Sequence, residues 1–381
     1  MKQTILMVHN YYQIAGGEDT VVANEKKMLE DNGHKVVLYT RNNRELKDMG
    51  ILKKLLLPFT TIYNPRTARD IKRIIKEEKI DIVHVHNTLN LISPAVYYAA
   101  LKMNKPVVQT VHNFRLLCPG ATFYRDGHIC EDCVSKGLGC ALKHRCYRGS
   151  FLQTLVCVVA TMIHRWIGIY RKINYICLTE FNKEKLLQLK GIHEDSVFVK
   201  PNFVDKKSET KIERKEQFVF VGRLDKLKGI DLLLNAWKEM GNSAPKLIVC
   251  GTGPMEEWCM KYVKCNNLNV EMKGFIHNTE ALEIIGESKA LILPTQWYEG
   301  FPMTIVEAFS VGTPVICTVI GNCGCVVEDG VTGWKFRDID GLIDIIEKYS
   351  NITESINSEF ESKYTKDSNY VFLKKIYGEC K

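Results

Sequence analysis

The 381-residue chain has no charge-free apolar run of membrane-spanning length. The nearest, Phe151 to Ile169, is interrupted by Gln153, His164 and Arg165, and reads as a buried or interfacial helix. The opening run from Met1 to Val8 is too short for the apolar centre of a secretory leader and reads as a buried first strand. Strict repeats and low-complexity tracts are missing. So is the G-x-G-x-x-G turn, which disfavours a nicotinamide dehydrogenase. Lysine and arginine are not interleaved with aromatics as in a strand-binding groove, which disfavours nucleic acid as a partner. Cysteine, by contrast, is plentiful: 14 residues, with Cys177, Cys250 and Cys317 inside strand-like runs. They look like small buried hydrophobes in a reducing, cytoplasmic compartment rather than a disulfide framework.

Charge is unevenly spread. Residues 1–200 carry 30 Lys+Arg against 18 Asp+Glu, whereas residues 201–381 carry 22 against 26. The basic half is expected to meet something anionic.

The pattern of the first half alternates. TILMVHN, KVVLYT, DIVHVHN and PVVQTVHN read as strands, and CLTE (177–180) as another. Between them lie helical stretches from about Asp19 to Asn32, Thr67 to Glu78, and from Pro94 onward. Near residues 200–217 the pattern breaks at Pro201-Asn202, and KKSETKIERKEQ has linker composition. Alternation then restarts with FVFVGRL, KLIVCGTG, NVEMKGF, ALILPT and PVICTV as strands. Two tandem α/β doubly wound domains follow: residues 1–200 and 201–368, with a final helix at 369–381 packing back on the first. In such folds ligands sit beyond the carboxyl ends of strands, where loops and helix N-termini converge.

The informative residues lie there. In EGFPMTIVEAFSVGTPVI (299–316), Glu299 follows a strand, Gly300-Phe301-Pro302-Met303 forms a loop, and Glu307 lies on the helix that follows. Two carboxylates so placed can grip different hydroxyls of one polyol, and the backbone N–H groups entering the helix suit phosphate. In VGRLDKLKGID (221–231), Gly222 ends a strand, and Arg223 and Lys228 can both reach one diphosphate. Gly16-Gly17 follows the first strand, and His112 sits at the end of the fourth.

These motifs resemble those of the family 4 glycosyltransferases of capsule and lipopolysaccharide biosynthesis. The likeness runs from Gly16 to about Gly333 and is more specific in the second half. It implies the GT-B fold, two Rossmann-like domains facing across a cleft, and retention of anomeric configuration. By that resemblance Glu307 holds the ribose of a nucleotide sugar. Glu299 contacts the transferred sugar, and the backbone of Gly300, Phe301, Pro302 and Met303 reaches sugar hydroxyls and diphosphate. Arg223 and Lys228 hold the phosphates, Gly16 and Gly17 approach the donor, and His112 sits near the sugar. Gly222, Gly251 and Gly253 border the nucleotide, the last two in CGTGP (250–254). PNFVD (201–205) departs from the family's PNGVD at Phe203, which weakens a close backbone approach there.

Expected chemistry is hexose transfer from a nucleotide sugar, UDP by preference, to a lipid-linked or saccharide acceptor held by the first domain. Arg66, Arg69, Lys72, Arg73 and Lys76 on one helix, with the Phe151–Ile169 helix, point to an anionic inner membrane surface. A GT-B epimerase acting on a sugar nucleotide and a non-catalytic sugar-nucleotide binder are the competing readings. Catalysis is expected to need no metal or other cofactor: Asp338-Ile339-Asp340 has the letters of a metal-binding DxD but is placed to cap a helix. An insert at 118–150 holds Cys118, Cys130, Cys133, Cys140 and Cys146, either a structural zinc site or reduced thiols in a loop. His84 reads as structural, and His86-Asn87 as lining the acceptor side.

Overall fold

Two parallel sheets organise the chain, each in its own unit. The structure, a computed structural model, describes residues 2–13, 16–205, 213–350 and 352–380. Residues 206–212 of the expected linker, Met1, and Ala15 of the AGGEDT loop lie outside the described residues. One unit comprises residues 1–125, 130–201 and 369–381, the other residues 126–129 and 202–368.

In the first unit the strands are β1 (Thr4–Tyr11), β2 (Lys35–Asn42), β3 (Ile82–Asn87), β4 (Val107–Val111), β5 (Asn174–Cys177) and β6 (Val197–Val199). Their order across the sheet is β2-β1-β3-β4-β5-β6, all parallel. Strands β3 and β4 are buried along their whole length, as strands covered on both faces should be. The helices are α1 (Gly17–Asp31), α2 (Ile51–Ile62), α3 (Pro65–Glu77), α4 (Ala95–Lys102), α5 (Phe151–Ile167) and α6 (Glu180–Leu187). Local chemistry sets their ends. Asn64 Oδ1 accepts from the amides of Arg66 and Thr67 ahead of Pro65 at the first helical position. Helix α5 stops at Gly168, in the left-handed region with φ 77°.

Two sequence readings change. The CLTE strand ends at Cys177, because the Thr179 hydroxyl accepts from the Asn182 amide and caps α6. The expected helix from Thr67 begins at Pro65. Helix α2 forms with Pro58 inside it. Proline has no N–H to give and its ring crowds the preceding turn, so the cost falls on one exposed helix rather than on the core.

The second unit contains β7 (Gln217–Val221), β8 (Lys246–Cys250), β9 (Val270–Gly274), β10 (Leu291–Leu293), β11 (Val315–Thr318) and β12 (Gly333–Phe336). Their order is β9-β8-β7-β10-β11-β12, again parallel. This is the two-halved order of the Rossmann fold. Helices α7 (Ile230–Met240), α8 (Glu256–Cys265), α9 (Asn278–Gly286), α10 (Met303–Ser310), α11 (Gly321–Val326), α12 (Ile339–Glu347) and α13 (Thr353–Lys363) flank it. One face buries Phe218, Phe220, Leu233 and Trp237, and the other Ile305, Phe309, Ile356 and Phe360. Asp338 Oδ1 accepts from the Gly341 amide, so Asp338 caps α12. The last helix, α14 (Lys366–Glu379), belongs to the first unit from Asn369 on.

Candidate functional site

The strand orders fix where side chains can converge. In each sheet the direction of winding reverses once, between β1 and β3 in the first and between β7 and β10 in the second. Loops leave those strands in opposite directions and open a crevice at their carboxyl ends.

In the second unit that crevice is built by the loops after β7 and β10. Lys228 lies at the end of the first loop, just before α7, and Glu299 on the second. Lys228 Nζ donates to both carboxylate oxygens of Glu299 at 2.8 Å. Thr295 Oγ1 donates to Glu299 Oε1 at 2.6 Å, so the carboxylate is held from two sides. Asn322, at the start of α11, donates to the backbone carbonyls of Glu299 and Gly300 and fixes the loop itself. The Glu299 side chain is nearly buried, whereas that of Lys228 is 26% exposed. The ammonium therefore offers its remaining surface to a ligand while the carboxylate offsets its charge.

Arg223 is placed differently. Its side chain is 67% exposed, and its Nε lies 3.3 Å from Asp225 Oδ2. Glu307, on α10, accepts from Asn278 Nδ2 at 2.8 Å. Burial pushes its carboxyl above the usual range, with the Asn278 bond acting the other way. The loop Gly300, Phe301, Pro302 runs into α10, whose first turn starts at Met303 and leaves amide groups without intrahelical acceptors. The loops carrying Gly222 and Gly251 lie backbone against backbone. Gly251 has φ +136°, and a β-carbon there would come within 1.9 Å of the Gly222 carbonyl oxygen. A β-carbon on Gly253 would strike the Leu224 backbone.

In the first unit, Gly16 precedes α1, and Asp19 returns its side chain to the Gly16 amide at 3.2 Å. Among the described residues, a β-carbon on Gly16 or Gly17 would meet nothing within 4 Å. His112 follows β4 directly and lines a cavity of about 90 Å³ with His86, Asn87 and Arg115. The rings of His86 and His112 stack with centroids 5.3 Å apart, and His86 Nδ1 meets His112 Nε2 at 3.0 Å. Behind them lies a fully buried network. Lys200 Nζ is 2.7 Å from Glu25 Oε1, and Glu25 Oε2 faces His86 Nε2 at 3.5 Å. Burial alone would raise the Glu25 carboxyl, but Lys200 and the neighbouring histidines hold it below its ordinary value. Burial lowers His84 to about 4 and His112 to about 3, so both rings are neutral near pH 7. A carboxylate opposite His86 Nε2 favours the proton there. Nδ1 then accepts from His112 Nε2, which leaves His112 Nδ1 as an acceptor.

Neither metal arrangement fits well. Among the described residues, the group whose ligand atoms all lie within 4.8 Å of one another is Glu25, His84 and His86. Lys200 already supplies the cation there, and both nitrogens of His84 are engaged, by the Tyr377 hydroxyl and by Thr110 Oγ1. The insert cysteines are neighbours: Cys133 packs with Cys140 and Cys146. No three of the sulfurs close to the spacing that a tetrahedral thiolate site needs. Burial, reinforced by the other thiols, pushes the metal-free Cys133 thiol up to about 12. The zinc expectation for Cys118, Cys130, Cys133, Cys140 and Cys146 is thus not supported.

Sequence reasoning did not single out Thr295, Asn278, Asn322, Glu25 or Lys200. Each is an ordinary polar residue in its own segment and acquires a role only through contacts distant in sequence.

The fold recurs in solved glycosyltransferases of the GT-B class. A glycosyltransferase from Rickettsia africae superposes with a TM-score of 0.67 at 17% identity, covering 99% of this chain and 98% of that one. Anabaena HepE, solved in complex with UDP, gives 0.67 at 16% identity over 99% of this chain and 100% of its own. Among curated proteins, a 41.2 kDa protein of uncharacterised function in the cps region of Klebsiella pneumoniae is 24% identical over 97% of this chain and 99% of its own length. The pattern described as Glycosyltransferase Family 4 matches residues 15–208, and that described as Glycosyl transferases group 1 matches residues 202–358. The chain belongs to glycosyltransferase family 4, and is an enzyme of the class that uses nucleotide sugars.

Proposed function

We propose that this enzyme transfers a hexose-type sugar, with retention, from a UDP-linked donor to a lipid-linked saccharide in the building of a cell-surface polysaccharide. The observation that carries the reading is the Lys228–Glu299 couple at the reversal point of the second sheet, clamped by Thr295 and Asn322. In this reading the second unit takes the donor and the first the acceptor. Glu307 receives the ribose hydroxyls, Glu299 and the 300–303 backbone position the sugar, and Lys228 and the accessible Arg223 stabilise the diphosphate. Gly222, Gly251 and Gly253 shape the nucleotide side. The bond from the anomeric carbon to the diphosphate oxygen breaks as the acceptor oxygen bonds to the same face. The acceptor proton passes to the departing phosphate. His112 Nδ1 accepts from a sugar hydroxyl. The capsule-region relative and the structural neighbour that holds UDP support the pathway class and the base.

A thermal-shift screen of nucleotide sugars against wild type and Glu307→Ala tests the donor assignment. Binding raises the melting temperature by mass action, so one donor should stand out and its shift should shrink in the variant. An equal shift in both removes the ribose role.

The same proposal places the enzyme at the inner face of an anionic membrane. No described helix is long and apolar enough to cross a bilayer. Helices α2 and α5 instead expose Leu52 (72%), Phe59 (69%), Leu152 (71%) and Trp166 (88%) beside Lys53 and Lys54. Exposed apolar and basic groups on two contacting helices suit interfacial binding. Sedimentation with anionic vesicles but not with neutral ones is the expected result. Equal binding to both, or to neither, rejects this placement.

A further inference from the structure

The cavity beside His112 shares two buried wall residues with a second one. Thr61 of α2 and Cys157 of α5 line it, and the same two residues line a second cavity of about 310 Å³ between those helices. The walls of the second cavity include Leu57, Pro58, Leu152 and Val156, and so are mostly hydrocarbon. Two cations stand among them, Lys54 and Arg148. Neither forms an ion pair with a carboxylate among the described residues, and Arg148 is exposed. Tyr147 lies between guanidinium groups, with Arg148 5.4 Å and Arg115 5.1 Å from its ring centre. Arg115 lines the His112 cavity and Arg148 the apolar one, so each has a guanidinium at its wall.

An apolar trough with two cations at its wall, side by side with a chamber lined by His86, Asn87, Gln109 and His112, matches one ligand chemistry: a hydrocarbon chain joined through phosphate to a polar head. A neutral lipid would leave the cations without a counter-charge, and a soluble sugar phosphate would leave the apolar walls uncovered. We propose that the groove between α2 and α5 binds the chain and phosphate of a lipid-phosphate acceptor, with its saccharide end in the His112 cavity. The chain lies against Leu57, Leu152 and Val156, and the phosphate meets Lys54 and Arg148. The assignment rests on the acceptor reading above and gives it a site.

The test uses farnesyl phosphate below its critical micelle concentration, with farnesol and inorganic phosphate as separate arms, titrated into the full chain by calorimetry. Saturable binding of farnesyl phosphate is expected, tighter than either fragment by about tenfold or more, since both halves of the groove contribute. Lys54→Glu combined with Arg148→Glu changes two exposed side chains. It should weaken farnesyl phosphate by about tenfold or more, the scale of a lost charge-assisted hydrogen bond, and leave farnesol unchanged. Val156→Trp, filling the groove, should weaken both farnesyl compounds; circular dichroism establishes that each variant is folded. Binding no tighter than that of inorganic phosphate, or unaltered in the folded charge-reversal variant, overturns the proposal. Non-saturating uptake would identify simple adsorption to the exposed helices and overturn it equally. The nucleotide-sugar thermal shift, read on the same samples, separates the two conclusions: a shift without farnesyl phosphate binding removes the groove and keeps the transferase reading.

Discussion

Single side chains in this enzyme are set by what surrounds them more than by what they are. Lys228 and Arg223 carry the same charge in one short loop, yet one is fastened to Glu299 by two bonds and the other is mostly exposed. Glu18 shows the same dependence in titration. Burial pushes its carboxyl up to about 8, with the Tyr12 hydroxyl acting against that and Asp19 with it. A carboxyl raised in the folded state binds a proton that the unfolded chain releases. Its contribution to stability is therefore lost as pH rises from the ordinary value of 4.5 through about 8. Glu18→Gln should remove that slope. Melting temperatures of wild type and variant are expected to be similar in mildly acidic buffer and to diverge in favour of the variant in alkaline buffer. A constant difference across the range would show that Glu18 does not titrate this way.

Secondary-structure elements were legible to the extent that their signals are local. Strands β3, β4, β7 and β8 stand out as short apolar runs because both faces are covered, and proline or glycine marks several helix ends. Helix α2 carries no clear local signal, since it holds Pro58 and its apolar residues face outward. The start of α7 illustrates a constraint that sequence hints at and packing enforces. Gly229 precedes it with φ +71°, and a β-carbon there would come within 1.9 Å of the Pro294 carbonyl oxygen. The two loops that hold Lys228 and Glu299 can approach only because this residue has no side chain. Gly229→Ala is expected to cost about 3 kcal/mol or more of stability, since backbone strain and a backbone clash combine. Urea denaturation reads the loss directly. A cost below about 0.5 kcal/mol, the usual range of a surface substitution, would mean that the loops part freely.

At the scale of the whole molecule, the last helix returns to the first unit and is fastened there by buried polar contacts. Lys200 Nζ bonds Asn369 Oδ1 at 3.0 Å as well as pairing with Glu25, and the Tyr377 hydroxyl meets His84 Nδ1 at 2.7 Å. Removing one member of such a set leaves a charge in the interior with no partner. Lys200→Met should destabilise the protein by about 3–5 kcal/mol, and Lys200→Met combined with Glu25→Gln should recover much of it, because the stranded carboxylate is gone. Equal losses in single and double variants, measured by chemical denaturation, would show that packing of the lysine stem dominates.

Residue order alone determined the class of fold and the kind of enzyme. Both rest on local signals, the alternation of apolar runs with helical stretches and the motifs around Gly222, Glu299 and Glu307, and such signals survive in a linear string. Tertiary structure alone decided which groups meet: Lys228 with Glu299, Asn322 beneath the Glu299 loop, Glu25 with Lys200, and α2 against α5. Those meetings join residues 23 to 175 positions apart in the chain. They depend on the order of strands across a sheet, and no local propensity encodes that order.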